Sequence, residues 1–161
     1  VTETTPEIDV KDAYVIGFDP GTSTGIVVWS RLKNEVIVQH TASPTDVFPT
    51  TQALLRDMVF MNVAPILVAE RFDFSMDTLR KSREGINDAI NVLGMLWTFS
   101  QQFHLPFHKI GRSDSKHFVK DEALKKHNLW LESRHTRDAL RSVLTYLASV
   151  DQDFVRNYWV K

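Results

Sequence analysis

Three apolar runs of strand length fall within the first 41 residues, and the short polar breaks between them restrict the fold more than any other feature. The runs are 13–19 (AYVIGFD), 25–29 (GIVVW) and 35–41 (EVIVQHT); the breaks are Pro20-Gly21-Thr22-Ser23 and a turn about Lys33-Asn34. Parallel neighbours need a crossover of a dozen or more residues, so strands joined this closely return antiparallel, as a three-stranded meander. The pattern then breaks over 44–49, and Leu54, Leu55, Met58 and Val59 recur at helical spacing over 50–61. Residues 65–70 (PILVAE) are apolar on both faces, which predicts a central strand. Residues 71–82 (RFDFSMDTLRKS) are irregular, a long helix is expected over 84–103, and 106–110 reads as a short fifth strand. Ser113 is placed as the N-cap of a helix over 114–127. The last helix, 133–149, is expected to carry Ala139, Leu140, Val143, Leu144, Leu147 and Val150 on one side. The order β-β-β-α-β-α-β-α predicts an α/β fold: a mixed five-stranded sheet with helices on both faces. It is expected as one domain over 12–161 behind a loose arm over 1–11.

At 161 residues the chain is long enough to bury its own core. It has no cysteine, which excludes disulfides, thiolate metal sites and cysteine nucleophiles. No stretch approaches the roughly 20 continuous apolar residues of a membrane helix, and the polar, acidic start is unlike a signal peptide. An intracellular location without a membrane partner is expected. The net charge of −1 hides a polarised distribution. Residues 1–70 carry four Lys and Arg against nine acids, whereas residues 80–141 carry twelve against seven. Such a chain can present a basic face on a near-neutral molecule.

Four groups stand at the ends of core elements. Asp19 closes the first strand against a Pro-Gly turn, and Glu70 closes the fourth. Ends of strands in open α/β sheets are where sites collect, and neighbouring strands would bring the two carboxylates together. A divalent cation relieves the repulsion between close carboxylates. His135 and Asp138 stand three apart near the start of the last helix, hence on one face. Each position also has an ordinary reading: a turn aspartate, a polar strand end, an acid favoured by a helix N-terminus.

With these positions in view, the sequence resembles the RuvC-type junction resolvases of the ribonuclease H-like superfamily. GFDPGTSTGIVVW is similar to their first motif, ILVAERF to the second and RHTRDALRSVL to the last, in which two residues three apart precede Ala-Leu. Residues 105–119 follow the family pattern of a strand and a lysine-bearing helix, while 71–82, 120–134 and the tail show no close match. The resemblance implies an endonuclease that nicks four-way (Holliday) junctions in pairs. Asp19, Glu70, His135 and Asp138 would hold two Mg²⁺ or Mn²⁺ ions, His135 acting as ligand or general acid/base. It also implies a homodimer matched to the symmetry of the junction, and no nucleotide cofactor. Lys116 is a candidate phosphate contact, although an exposed lysine can be only that. In 71–82, Arg71, Arg80 and Lys81 are candidate phosphate contacts; Phe74 is a candidate wedge against DNA, and Phe72 is expected to pack beneath the loop.

Other readings keep part of this picture. A related nuclease would cut flaps or forks instead of junctions. The Asp-Pro-Gly-Thr-Ser-Thr-Gly turn is also similar to the phosphate turn of sugar kinases and actin-like ATPases, which need a second such domain. A DNA-binding module without catalysis is the third alternative, though clustered acids facing phosphate would serve it poorly.

Overall fold

The computed structural model describes residues 13–72 and 83–160. The arm expected over 1–11, and Phe74, Arg80 and Lys81, lie outside the described residues. Five strands form one mixed sheet: β1 (Tyr14–Asp19), β2 (Thr24–Ser30), β3 (Glu35–Ala42), β4 (Ile66–Glu70) and β5 (Phe107–Ile110), in the order β3-β2-β1-β4-β5. The first three are the antiparallel meander that their short turns require. β4 pairs parallel with β1, with Phe18 opposite Ala69, so Asp19 and Glu70 stand one step beyond the same rung.

Strand parity then decides which side each residue faces. Ile16, Phe18, Ile26, Val28, Leu67 and Ala69 fill one face, packed under α1 (Val47–Phe60) and α2 (Arg83–Phe103). Val15, Val27, Trp29, Ile66 and Val68 fill the other, packed under α5 (Arg134–Val150). Asp19 and Glu70 share the parity of Val15 and Val68 and therefore belong to the α5 side. Val150, expected on the buried side of α5, is its last residue and is 56% exposed; Ala139, Leu140, Val143, Leu144 and Leu147 make the buried stripe, as their helical spacing predicts. Each such side chain taken from water contributes about 1.5–3 kcal/mol.

The departures from expectation have local causes. α1 begins at Val47, before Pro49, because proline in a first helical turn withholds an N–H that has no partner there. The helix expected over 114–127 is two helices, α3 (Arg112–Phe118) and α4 (Asp121–Lys126). Between them Val119 turns wholly into the core and Lys120 is extended at φ −77°, ψ 160°. Ser113 is not a cap: Gly111 holds the N-cap position and Ser113 lies inside α3. A short turn, Gln152–Phe154, runs into a π-helical turn, Val155–Trp159, and brings Phe154 and Tyr158 edge-on to Trp29. Among the described residues no helix is long and apolar enough to cross a membrane.

Two glycines set how closely α5 lies on the sheet. A Cβ on Gly25 would collide with the His135 carbonyl, and one on Gly17 would meet the Val143 side chain and stand 2.6 Å from the Ala139 carbonyl oxygen. Both neighbours on Gly25 and one on Gly17 are backbone, which cannot rotate away. Gly17→Ala and Gly25→Ala are each expected to lose about 1–3 kcal/mol or more through overpacking, read as a fall in Tm, whereas Gly21→Ala, whose Cβ would have 3.6 Å of room, should lose much less.

Candidate metal centre

The four positions picked out in the sequence line one cleft of about 420 Å³: Asp19 and Glu70 from the sheet, His135 and Asp138 from the first turns of α5. β1 and β4 end there, and α5 begins there because it is seated on Gly17 and Gly25. Ser133 caps α5, its hydroxyl accepting from the His135 N–H at 3.2 Å, and fixes where the helix starts. The turn after β1 is closed by Thr24, whose hydroxyl donates to the Gly21 carbonyl at 3.1 Å.

His135 Nδ1 lies 3.0 Å from Asp19 Oδ2. Burial pushes the Asp19 carboxyl above its ordinary range, with the charge of Asp138 adding to it, while the hydrogen bond from His135 opposes the shift. Glu70 is pushed further, to about 7, by burial first and by the charge of Asp19 next, against the pull of Arg112 and Lys116. The Arg112 guanidinium stands 3.5 Å from Glu70.

Asp138 has different surroundings. It is 6% exposed and surrounded by cations: Arg141 donates to it from one turn along the helix, Lys116 stands at 3.7 Å and Arg134 at 3.8 Å. Arg141 is itself buried and spends every nitrogen: Nη1 on Asp138, Nη2 on Asp121, and Nε on the Val119 carbonyl at 3.0 Å. That carbonyl is free to accept because the helix breaks there.

Lys116, a candidate phosphate contact, stands 3.7 Å from Asp138. Arg71, another such candidate, follows β4, exposed, with its backbone N–H on the Ile110 carbonyl at 2.7 Å. Phe72 is half-buried and lines the cleft together with Ile86 and Ala89; the loop it was expected to pack beneath lies, from residue 73 on, outside the described residues. Three cations at the site were missed: Arg112, Arg134 and Arg141. Arg134 and Arg141 lie four residues before and three after Asp138, so helical spacing alone puts all three on one face. Arg112 had a weaker signal, its position two residues after the end of β5.

Among the described residues, no three His, Asp or Glu side chains stand in an arrangement that grips an ion as they are. Each carboxylate instead faces a neighbour: Asp19 His135, Glu70 Arg112, Asp138 Arg141. The donor set nonetheless fits a divalent cation. Three carboxylates and an imidazole converge, and two of the carboxylates resist ionising because burial and mutual repulsion oppose it. A hard cation with oxygen ligands relieves both effects, and the imidazole suits Mn²⁺ better than Mg²⁺.

No family model matches the chain, and no curated protein matches it. Solved structures do. RuvC of T. thermophilus in complex with Holliday junction substrate is 18% identical, with a TM-score of 0.64 over 86% of this chain and 96% of that one. T. thermophilus RuvC in a second structure is 16% identical, with a TM-score of 0.57 over 91% and 97%. The yeast mitochondrial Holliday junction resolvase Ydc2 is 13% identical, with a TM-score of 0.47 over 95% and 87%. The described residues thus share the fold of the RuvC structures: the mixed five-stranded sheet flanked by helices follows the order of elements, and the ribonuclease H-like fold is the one that the resemblance implied.

The raised Glu70 value makes a prediction for the protein without metal. A carboxyl that titrates near 7 folded and near 4.5 unfolded favours the folded state fully below pH 4.5, and that contribution is lost as pH rises through 7. In EDTA, Tm should fall between pH 5 and about 7.5. Glu70→Gln should flatten that fall and leave the variant more stable than the wild type at the upper end. Equal slopes in the two proteins would contradict it.

Proposed function

We propose that this chain is a divalent-metal-dependent DNA endonuclease of the RuvC type that resolves four-way junctions by paired nicks. The observation that carries the reading is the meeting of Asp19, Glu70, His135 and Asp138 in one cleft, rimmed by Arg112 and Arg134 and with Lys116 against Asp138. Such a cleft offers acids for cations and cations for phosphate, the two halves of a phosphodiesterase. Support for the substrate comes from the fold, which the RuvC bound to a Holliday junction shares.

Asp19, Glu70, Asp138 and His135 would hold two Mg²⁺ or Mn²⁺ ions. When bound, these supply an activated water and charge stabilisation for the departing 3′ oxygen. The chain's own groups do the remainder. Lys116, Arg112 and Arg134 draw the scissile phosphate in and balance its non-bridging oxygens. With Nδ1 donating to Asp19, His135 keeps its lone pair on Nε2, the atom available to a cation or to a proton from the attacking water. Phe72, Ile86 and Ala89 form the apolar wall of the cleft and limit the water around the reacting groups.

The direct test presents the purified protein with matched four-way junction, flap, fork and linear duplex in Mg²⁺, Mn²⁺, Ca²⁺ or EDTA. Symmetric nicks in the junction with Mg²⁺ or Mn²⁺ are expected. Asp19→Asn should lose more than about 100-fold in rate while still binding the junction. Cleavage unchanged in Asp19→Asn would remove the assignment, and a preference for flaps or forks would change the substrate.

Two symmetric nicks need two clefts, and each chain carries one, so the reading includes a two-fold dimer. Its interface is placed on the outer side of α1 and α2. There Ile90 and Trp97, seven residues apart, share an exposed face, Trp97 is 57% exposed, and Phe60 at the end of α1 is 91% exposed. Sedimentation should give a dimer for the wild type and a shift towards monomer for Trp97→Glu. A monomeric wild type that still makes paired nicks would refute the interface.

A further inference from the structure

A second depression, of about 450 Å³, adjoins the cleft and shares Arg134 and Asp138 with it. It runs over α3, α4 and the first turns of α5, and its lining adds Lys116, Lys120, Arg137 and Arg141 to Arg134, five cations against the three acids Asp121, Glu122 and Asp138. Arg141 is neutralised from within by Asp121 and Asp138. Lys116 and Arg134 approach Asp138 only to 3.7 and 3.8 Å, too far for a hydrogen bond, so their N–H groups remain available to an incoming oxygen. Lys120, in the break between α3 and α4, is exposed.

Arg137 is held more firmly than a surface arginine needs to be. Its Nη1 donates to the carbonyls of Leu131 at 2.6 Å and Glu132 at 2.8 Å, and its guanidinium carbon lies 4.3 Å from the centre of the Trp130 ring. Lys125 Nζ lies over the same ring at 4.7 Å. Trp130 is 41% exposed because Leu129 before it and Leu131 after it both turn into the core. Fixing a guanidinium this way removes most of the rotamer freedom that a flexible side chain loses when it grips an anion.

We propose that this groove binds the sugar-phosphate backbone of DNA beyond the bond being cut, with Lys120 and Arg137 as its contacts, Lys116 and Arg134 at the scissile phosphate marking where the track begins, and Trp130 as the post that holds Arg137 and Lys125. The proposal rests on the nuclease reading and extends its substrate path from one phosphate to a track. Charge is the recognised feature: two cations already lie over the Trp130 ring, so what the ridge presents is positive charge rather than an open stacking surface.

The experiment is equilibrium binding of the full chain to an immobile four-way junction in Ca²⁺, between 50 and 200 mM salt. Wild type, Lys120→Ala, Arg137→Ala and Trp130→Ala are compared, with the Tm of each measured alongside. Each lost phosphate contact should lower the slope of log K against log salt by about 0.9 and weaken binding to junctions of every sequence alike. Trp130→Ala should behave like Arg137→Ala. Arg137 also ties the segment before α5, so its variant can lose Tm; Lys120→Ala, an exposed side chain, keeps the test clear of folding. If the wild type binds and nicks the junction but Lys120→Ala and Trp130→Ala keep its affinity and salt slope, the groove assignment is wrong and the nuclease reading stands. If the wild type does not bind the junction, both fall.

Discussion

Everything at the site depends on how closely α5 approaches the sheet. The helix sits against bare backbone at Gly17 and Gly25, where a single methyl group on either strand would meet helix atoms. That contact is local in sequence at neither end: β1 and β2 come from the first 30 residues and α5 from the last 28. It lowers the start of α5 onto the same side of the sheet that strand parity gives to Asp19 and Glu70. Because protein interiors are close-packed, such a contact has no intermediate setting. Lifting the helix by one methyl would move His135 and Asp138 away from the carboxylates as a unit.

The charges at the site are unevenly matched, and the imbalance follows from which element each comes from. Asp19 and Glu70 end strands that are buried on both faces, so desolvation is the first influence on both, and their proximity adds to it. Asp138 stands in the second turn of a helix whose opening turns also carry Arg134 and Arg141, and it is met by both and by Lys116. The sheet side of the cleft, where Arg112 alone stands beside Glu70, is therefore short of positive charge, while the helix side has three cations about one acid. A cation is wanted at the former and an anion at the latter. This is the arrangement that a phosphodiester and its metal ions would complete together.

Much of this was legible in the sequence, because periodicity and strand ends are written in the order of residues. The meander, the central β4 and the stripe of α5 follow from spacing two and spacing three to four. Asp19, Glu70, His135 and Asp138 followed from charges placed at the ends of apolar elements. What escaped detection depends on tertiary contacts. Residues 114–127 contain no proline or glycine, so nothing local marks the break at Val119 and Lys120; it arises because Val119 is drawn wholly into the core beside Leu124 and Leu140. Helical spacing marked α1 only from residue 50, yet it starts at Val47, since a proline in the first turn, Pro49, does not interrupt a helix. Arg134 and Arg141 were readable from the helical spacing around Asp138 but were counted only as bulk charge.

The break between α3 and α4 ties these threads together. Ending α3 at Phe118 leaves the Val119 carbonyl without a helical N–H, and Arg141 Nε takes it. The same guanidinium then reaches Asp138 on one side and Asp121 on the other. A buried ion pair of this kind contributes little net stability, since desolvating the arginine offsets most of the attraction. What it supplies is geometry: Asp138 is held by a group whose own three contacts leave it no freedom to turn. The helix break therefore does for Asp138 what the glycines do for α5, fixing by backbone placement a side chain that its own rotamers would leave loose.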